Sequence, residues 1–212
     1  MGFYSERVLP ACINCACGTA VINAQRQKIV PLARGRVLEV GMGSALNLPF
    51  YNRDAVEWVW GLEPSAGMRR QAQKHLAASS LDVRWLELPG ESIPLDDHSV
   101  DTVLLTFTLC TIPDWAAALQ QMRRVLKPDG QLLFCEHGLA PDASVQRWQH
   151  RINPLWKVLC GGCNLNRPIT EGLQQAGFTI AVLEADYMPE TPRFVGYNYR
   201  GVATHSGMDQ TP

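Results

Sequence analysis

The chain has 212 residues and a formal net charge of −1, from 19 Lys and Arg against 20 Asp and Glu. At that length a single domain with its own core is expected, and 46% apolar against 18% charged residues excludes a disordered chain. Near-neutral charge, with a pI of about 6.5, excludes a nucleic-acid partner held by phosphate neutralisation.

In chain order, the first feature is a surplus of cysteines, which fall at 12, 15, 17, 110, 135, 160 and 163. Their number is odd, and residues 1–10 carry Ser5, Glu6 and Arg7 in place of an apolar signal run. Free thiols in a reducing cytoplasm are therefore expected, not a disulfide framework. Met1-Gly2 is not read as a myristoylation site, because Glu6 stands where Ser or Thr is required. Cys12-x-x-Cys15-x-Cys17 and Cys160-Gly-Gly-Cys163 have the two-residue spacing of zinc ligands. The first lies in an apolar run without a nearby His, so both are read as small hydrophobes packed on the body, and no metal is expected. No stretch approaches the ~18 consecutive apolar residues of a membrane span.

Asn23 to Leu32 reads as helical, and Arg36 to Val40 as a short strand running into the turn Gly41-Met42-Gly43-Ser44. Glu57 to Glu63 is the second strand, and Ser65 caps the helix that follows. Val83 to Leu88 is the third strand, and the apolar run Ser99 to Phe107 is a buried central one. Asp114 caps a helix through Leu126, ended by the turn Lys127-Pro128-Asp129-Gly130 before a fifth strand, Gln131 to Glu136. Residues 141–160 form a helical region interrupted at Pro154, and Thr170 to Ala176 a short helix. Phe178 to Leu183 and Phe194 to Val202 close the chain as strands joined without a helix, hence antiparallel. Strands alternating with helices of about 10–15 residues give an α/β, doubly wound, Rossmann-like sheet of seven strands. It is mostly parallel with the last strand antiparallel, and has helices on both faces.

In such sheets ligands sit at the carboxyl ends of the strands. A dinucleotide loop requires G-x-G-x-x-G, but here the third place is Leu46, followed by Asn47. Glu63 ends the second strand about 20 residues after the loop, the distance at which a carboxylate accepts hydrogen bonds from two ribose hydroxyls. Pro89-Gly90-Glu91 closes the third strand.

Taken together, Glu39…Gly41-x-Gly43, Glu63, the segment Gly90 to Leu95, Ser99-Val100-Asp101 and the turn Leu126 to Gly130 resemble the class I S-adenosylmethionine-dependent methyltransferases over about residues 36–136. Thr106-x-x-Leu109-Cys110, Glu136-His137, Pro154-x-Trp156, Gly162-Cys163-Asn164-Leu165-x-Arg167 and Ala176-Gly177-Phe178 are similar to the animal methyltransferase-like alkyl thiol methyltransferases and their bacterial relatives. That likeness extends over nearly the whole chain after residue 30. The animal proteins carry a hydrophobic N-terminal membrane segment that is not legible here, and Met42 and Ala45 depart from their glycine loop.

The resemblance implies S-adenosyl-L-methionine as cofactor and S-adenosyl-L-homocysteine as product. The expected binding residues are Glu39, Gly41, Gly43, Asn47, Glu63, Pro64, Gly90, Glu91 and Thr106. A cofactor without phosphate needs only close backbone passage at the two glycines, which a missing third glycine allows. The expected partner is a small methyl acceptor, a thiol in the first place. Quinone and phospholipid-headgroup methylation share the same motifs, and a non-catalytic cofactor-binding protein is the remaining alternative.

His137 and Glu136, together at a strand end, are the expected catalytic residues, and His137 has the pKa range of a base for a thiol, against the alternative of a structural histidine. Cys110, Trp148, Asn153, Trp156 and Arg167 are expected to wall the acceptor pocket, with core burial as the competing reading for the tryptophans. Trp58, Trp60 and Trp85 read as core, and His75, His98, His150 and His205 have no visible partner. Residues 1–212 are expected to form one domain, with 1–32 an N-terminal lid, 36–136 the cofactor core and 140–170 a helical insertion covering the substrate.

Overall fold

The structure, a computed structural model, describes residues 9–205; the signal and myristoylation readings at residues 1–8 lie outside them. Two helices, α1 (Leu9–Cys17) and α2 (Ala20–Ile29), lead into β1 (Gly35–Val40). There follow β2 (Val56–Leu62), α3 (Ala66–Ala77), β3 (Val83–Leu86), β4 (Val100–Thr106), α4 (Trp115–Val125) and β5 (Leu126–His137). The chain continues through α5 (Ala143–Leu159), α6 (Ile169–Gln175), β6 (Phe178–Tyr187), the one-turn α7 (Arg193–Gly196) and β7 (Tyr197–His205).

The seven strands form one sheet in the order β3-β2-β1-β4-β5-β7-β6. β7 runs antiparallel between β5 and β6, and the remaining pairs are parallel. The expected doubly wound sheet is thus present. The strand order reverses between β1 and β4, so a crevice opens at their carboxyl ends, where this topology places ligands.

The central strands are apolar on both sides because both faces are covered. Leu38, Leu105 and Phe134 pack towards α4 and α6 through Leu119, Met122 and Leu173. Their neighbours Val37, Leu104 and Leu133 pack on the opposite face with Ile29, Val30 and Ala72. This alternation follows the two-residue period of a strand. Ser65 accepts the Met68 N–H to start α3, as the sequence indicates, and Asp114 accepts the Ala117 N–H to start α4. The buried stripe Ala118, Leu119, Met122 and Val125 then lays α4 on the sheet.

Several local expectations are corrected. Residues 127–130 do not separate helix from strand by a free turn: Val100 pairs with Leu126 and Thr102 with Gln131, so the four residues between are absorbed as a bulge in the β4–β5 ladder. α5 runs through Pro154 without interruption. Its anchor is Gln149, which is wholly buried. Phe194 lies within α7 and does not open a strand, β7 starts at Tyr197, and β6 reaches Tyr187.

Trp58, Trp60 and Trp85 are half-buried, and the guanidiniums of Arg84 and Arg36 stack on Trp58 at 4.4 and 4.9 Å. Cys12 and Cys15 are exposed on α1, so their side chains are not packed on the body. The remaining histidines do have partners: His75 meets the Ser44 carbonyl at 2.8 Å, His98 and His205 the Leu126 carbonyl at 3.0 Å, and His150 the Asn166 amide at 2.8 Å.

Gln149 ties three segments together. Its carbonyl accepts the Ala140 N–H at 3.0 Å, and its amide faces the carbonyls of Gly138, Leu165 and Phe194 at 2.9, 3.0 and 3.1 Å. Gln149→Leu keeps the volume but leaves these buried backbone groups unpaired. It is expected to lower the unfolding free energy by about 3 kcal/mol, measured by urea denaturation.

Candidate active site

The loop after β1 turns on glycines that need left-handed backbone. Gly41 has φ +68°, and a Cβ there would fall 2.2 Å from Thr108 Cγ2. The N–H groups of Gly41 and Met42 both point at the Leu62 carbonyl, at 2.8 and 3.1 Å. Beneath the loop, buried Glu39 accepts Tyr51 Oη–H at 2.6 Å and Asn47 Nδ2–H at 2.9 Å. The same Asn47 nitrogen faces Thr106 Oγ1 at 2.9 Å, and Asn47 Oδ1 accepts Arg26 Nε–H at 2.9 Å. Burial pushes the Glu39 carboxyl up to about 7 against the pull of Tyr51, Asn47 and Arg26.

Glu63, at the end of β2, accepts the Ser65 N–H at 2.8 Å and the Gly43 N–H at 3.0 Å, which couples it to the glycine loop. Burial raises its pKa, and those two backbone bonds work the other way. Glu91 accepts the Asp114 N–H at 3.1 Å through Oε1, whereas its Oε2 is buried and has no partner among the described residues.

Two clefts of about 380 and 480 Å³ open over these strand ends. The first is lined by Cys17, Arg26, Gly43, Asn47, Met68 and Thr106 among others. The second is lined by Glu63, Pro64, Gly90, Glu91, Ile112 and Pro113 among others. Gly41 and Thr108 border both, so the two adjoin. Helix α1 closes over the glycine loop: Ser44 Oγ–H donates to Asn14 Oδ1 at 2.6 Å, and Ile13 lines the first cleft.

The loop after β4 is clamped from behind. Glu136 at the end of β5 is wholly buried and accepts the Thr108 N–H at 2.8 and 3.0 Å. Burial pushes this carboxyl up to about 7, against the opposing backbone bonds from Thr108 and Leu109. From the other side Arg167 donates to the Leu109 and Ile112 carbonyls, the latter at 2.6 Å. The Asn164 N–H and Nδ2–H donate to the Cys110 carbonyl at 2.8 and 2.9 Å.

Next to this loop Cys110, His137 and Cys163 converge, all buried, with their ligating atoms within 4.8 Å of one another. His137 Nε2 lies 3.3 Å from Cys163 Sγ, and Trp156 Nε1–H donates to the same sulfur at 3.3 Å. Hydrogen bonds from Cys110 and then His137 hold the Cys163 thiol far below the ordinary range. The shared bond with Cys163, then burial, push Cys110 up.

Of the expected site residues, the cofactor set borders the two clefts, with Glu39 beneath the glycine loop. Cys110 and Trp156 reach the sulfur–imidazole cluster. Asn153 borders neither cleft; its Oδ1 accepts the Leu165 N–H at 2.7 Å. Arg167 likewise serves the loop backbone, and Trp148 is 60% exposed and borders neither cleft. Sequence reasoning missed Arg26, Tyr51 and Thr108, and did not join Cys163 to His137. Their separation along the chain gives no spacing signal.

The methyltransferase-domain family matches residues 38–134. Human thiol S-methyltransferase TMT1B is 33% identical over 175 residues, covering 77% of this chain and 71% of the relative. The chain belongs to the S-adenosylmethionine-dependent methyltransferases. Human thiol S-methyltransferase TMT1A is 30% identical over 177 residues, covering 79% of this methyltransferase and 71% of the relative. A solved S-adenosylmethionine-dependent methyltransferase from Thermotoga maritima shares the fold, with TM-score 0.65 and 20% identity over 95% of this chain and 97% of that one.

S-adenosylmethionine is the cofactor of this methyltransferase, and the clefts suit it. The glycine cradle leaves no room for a Cβ at Gly41, and the unpartnered Glu91 Oε2 is a buried acceptor of the kind an amino group satisfies.

Glu39 and Glu136 stand at about 7 in the fold, against 4.5 ordinarily. The native chain therefore keeps protons that the unfolded chain releases between about pH 4.5 and 7. The stability these neutral carboxyls contribute is full below about pH 4.5 and is lost as pH rises to about 7. Urea denaturation over that window is expected to show stability falling with pH, with a shallower slope in Glu39→Gln.

Proposed function

We propose that this methyltransferase places the methyl group on the sulfur of a small thiol by direct in-line displacement. The observation that carries this reading is the buried Cys110–His137–Cys163 cluster beside the cofactor clefts, in a chain similar to two human thiol S-methyltransferases. When bound, S-adenosylmethionine supplies a methyl group on a positively charged sulfonium, already a good leaving group.

The chain's own residues then do two things. They align the reacting groups, which accounts for several kcal/mol of such a barrier. They also handle a proton, because a thiol of pKa near ~8.5 attacks as thiolate. Glu63 and Pro64 would hold the ribose end, Gly90 and Glu91 the adenine edge, and Gly41, Gly43, Asn47 and Thr106 the amino-acid end. Thr108 stands between the two clefts. The acceptor's proton is lost to solvent at the sulfur–imidazole cluster. His137 is not a free base there, since its Nε2 is engaged with Cys163. Glu136 acts as a positioning residue, its two carboxyl oxygens accepting the Thr108 N–H.

The chain's near-neutral charge supports a small, uncharged acceptor rather than a nucleic acid. Seven free cysteines support a reducing compartment such as the cytoplasm. Among the described residues no helix is long and apolar enough to cross a membrane. A methylation assay over a small alkyl thiol, a quinol and a phospholipid amine tests the reading by product mass. Methyl thioether is the expected product, with turnover reduced about 100-fold in His137→Ala because the cluster that positions the acceptor is broken. Methylation of the quinol or the amine, with the thiol untouched, overturns it.

A further inference from the structure

We infer that Cys110, His137 and Cys163 form a binding site for a zinc-class divalent ion. Three segments deliver the ligands: the loop after β4, the end of β5 and the turn after α5. Two thiols and an imidazole are the donor set of a soft, d10 cation.

The spacing is that of a coordination shell. With metal–sulfur bonds of about 2.3 Å and metal–nitrogen bonds of about 2.0–2.1 Å, tetrahedral edges measure about 3.8 Å between sulfurs and about 3.6 Å between sulfur and nitrogen. The Cys163 Sγ–His137 Nε2 separation is 3.3 Å, and all three ligating atoms fall within 4.8 Å. The Trp156 indole N–H aimed at Cys163 Sγ, at 3.3 Å, is the outer contact that steadies a ligating thiolate. The imidazole is turned toward this site by the contact of its Nε2 with Cys163 Sγ, and its Nδ1 is buried without a partner among the described residues. The zinc-like spacings of the sequence do not make the site. Cys12 and Cys15 are exposed on α1, and Cys163 joins Cys110 and His137 instead of Cys160.

Three ligands leave one tetrahedral position open, as in catalytic rather than structural zinc sites. Resting on the thiol reading above, that position receives the acceptor. The thiol's S–H bond breaks, a metal–sulfur bond forms and the proton leaves to solvent. The bound thiolate then takes the methyl as the sulfonium carbon–sulfur bond breaks, and the neutral thioether departs.

The test uses the full chain, purified under reducing conditions without chelator, its metal content measured, and then titrated as apoprotein with Co(II). About one zinc per chain is expected, with a sulfur-to-cobalt charge-transfer band and the intense visible bands of tetrahedral Co(II). Cys163→Ser and His137→Ala lose the spectrum, whereas Cys160→Ser keeps it. Trp156→Phe, which leaves all three ligands in place, binds about 10–100-fold more weakly. A folded wild-type chain that takes up neither ion overturns the site, as does a cobalt spectrum unchanged in Cys163→Ser. Thiol methylation at full rate by metal-free enzyme overturns the metal site and leaves the thiol reading standing. Tight cobalt binding without thiol methylation does the reverse.

Discussion

The wholly buried Glu136 carboxylate, receiving the Thr108 N–H, is the contact on which the site depends. β4 and β5 are parallel neighbours, so their carboxyl ends emerge side by side and their loops must be fixed relative to each other. Glu136 does this, and the turn it holds carries Thr108 against Gly41 on one side and Cys110 against Cys163 on the other. One turn therefore borders both cofactor clefts and the sulfur cluster. Arg167 and Asn164 clamp the same turn from the chain after α5, and Gln149 in turn anchors that stretch.

The site's electrostatics suit this arrangement. Glu39 and Glu136 are buried deeply enough that their carboxyls sit near 7, yet each is spent on hydrogen bonds that set loop geometry. Glu63 and Glu91 lie in the cleft itself, where oxygen acceptors face the space a ligand would fill. On the proposed reading, carboxyls serve scaffold and cofactor, and sulfur and imidazole are left for the acceptor. That division matches what methyl transfer to sulfur needs: precise alignment at one end and a site that favours thiolate at the other.

The fold was legible because its signals are local. The unbroken apolar run of β4, the glycine turn at Gly41 and the acid at Glu63 each follow from a few adjacent residues; together they point to the sheet, and the family resemblance they carry implies the cofactor. Asp114 and Ser65 announced their helices in the same way. What was illegible depends on tertiary packing. Pro154 looks like a break in sequence, but the buried Gln149 anchors α5 across it. Lys127–Gly130 looks like a turn, yet the ladder absorbs it as a bulge. The cysteine spacings drew attention to α1, whereas the cluster arises from Cys110, His137 and Cys163, which only the β4, β5 and α5 exits bring together. Position alone puts Trp148 and Asn153 on a pocket wall. One is exposed, and the other pins the Leu165 backbone.

Thiol chemistry at the turn between β4 and α4 is the central claim. A crystal structure of the enzyme with S-adenosylhomocysteine and a small alkyl thiol tests it most directly. The expected result places the cofactor product across the two clefts that share Thr108, with the thiol sulfur in contact with the Cys110–His137–Cys163 cluster. An acceptor sulfur bound away from that cluster, for example against the exposed Trp148 face of α5, would contradict it.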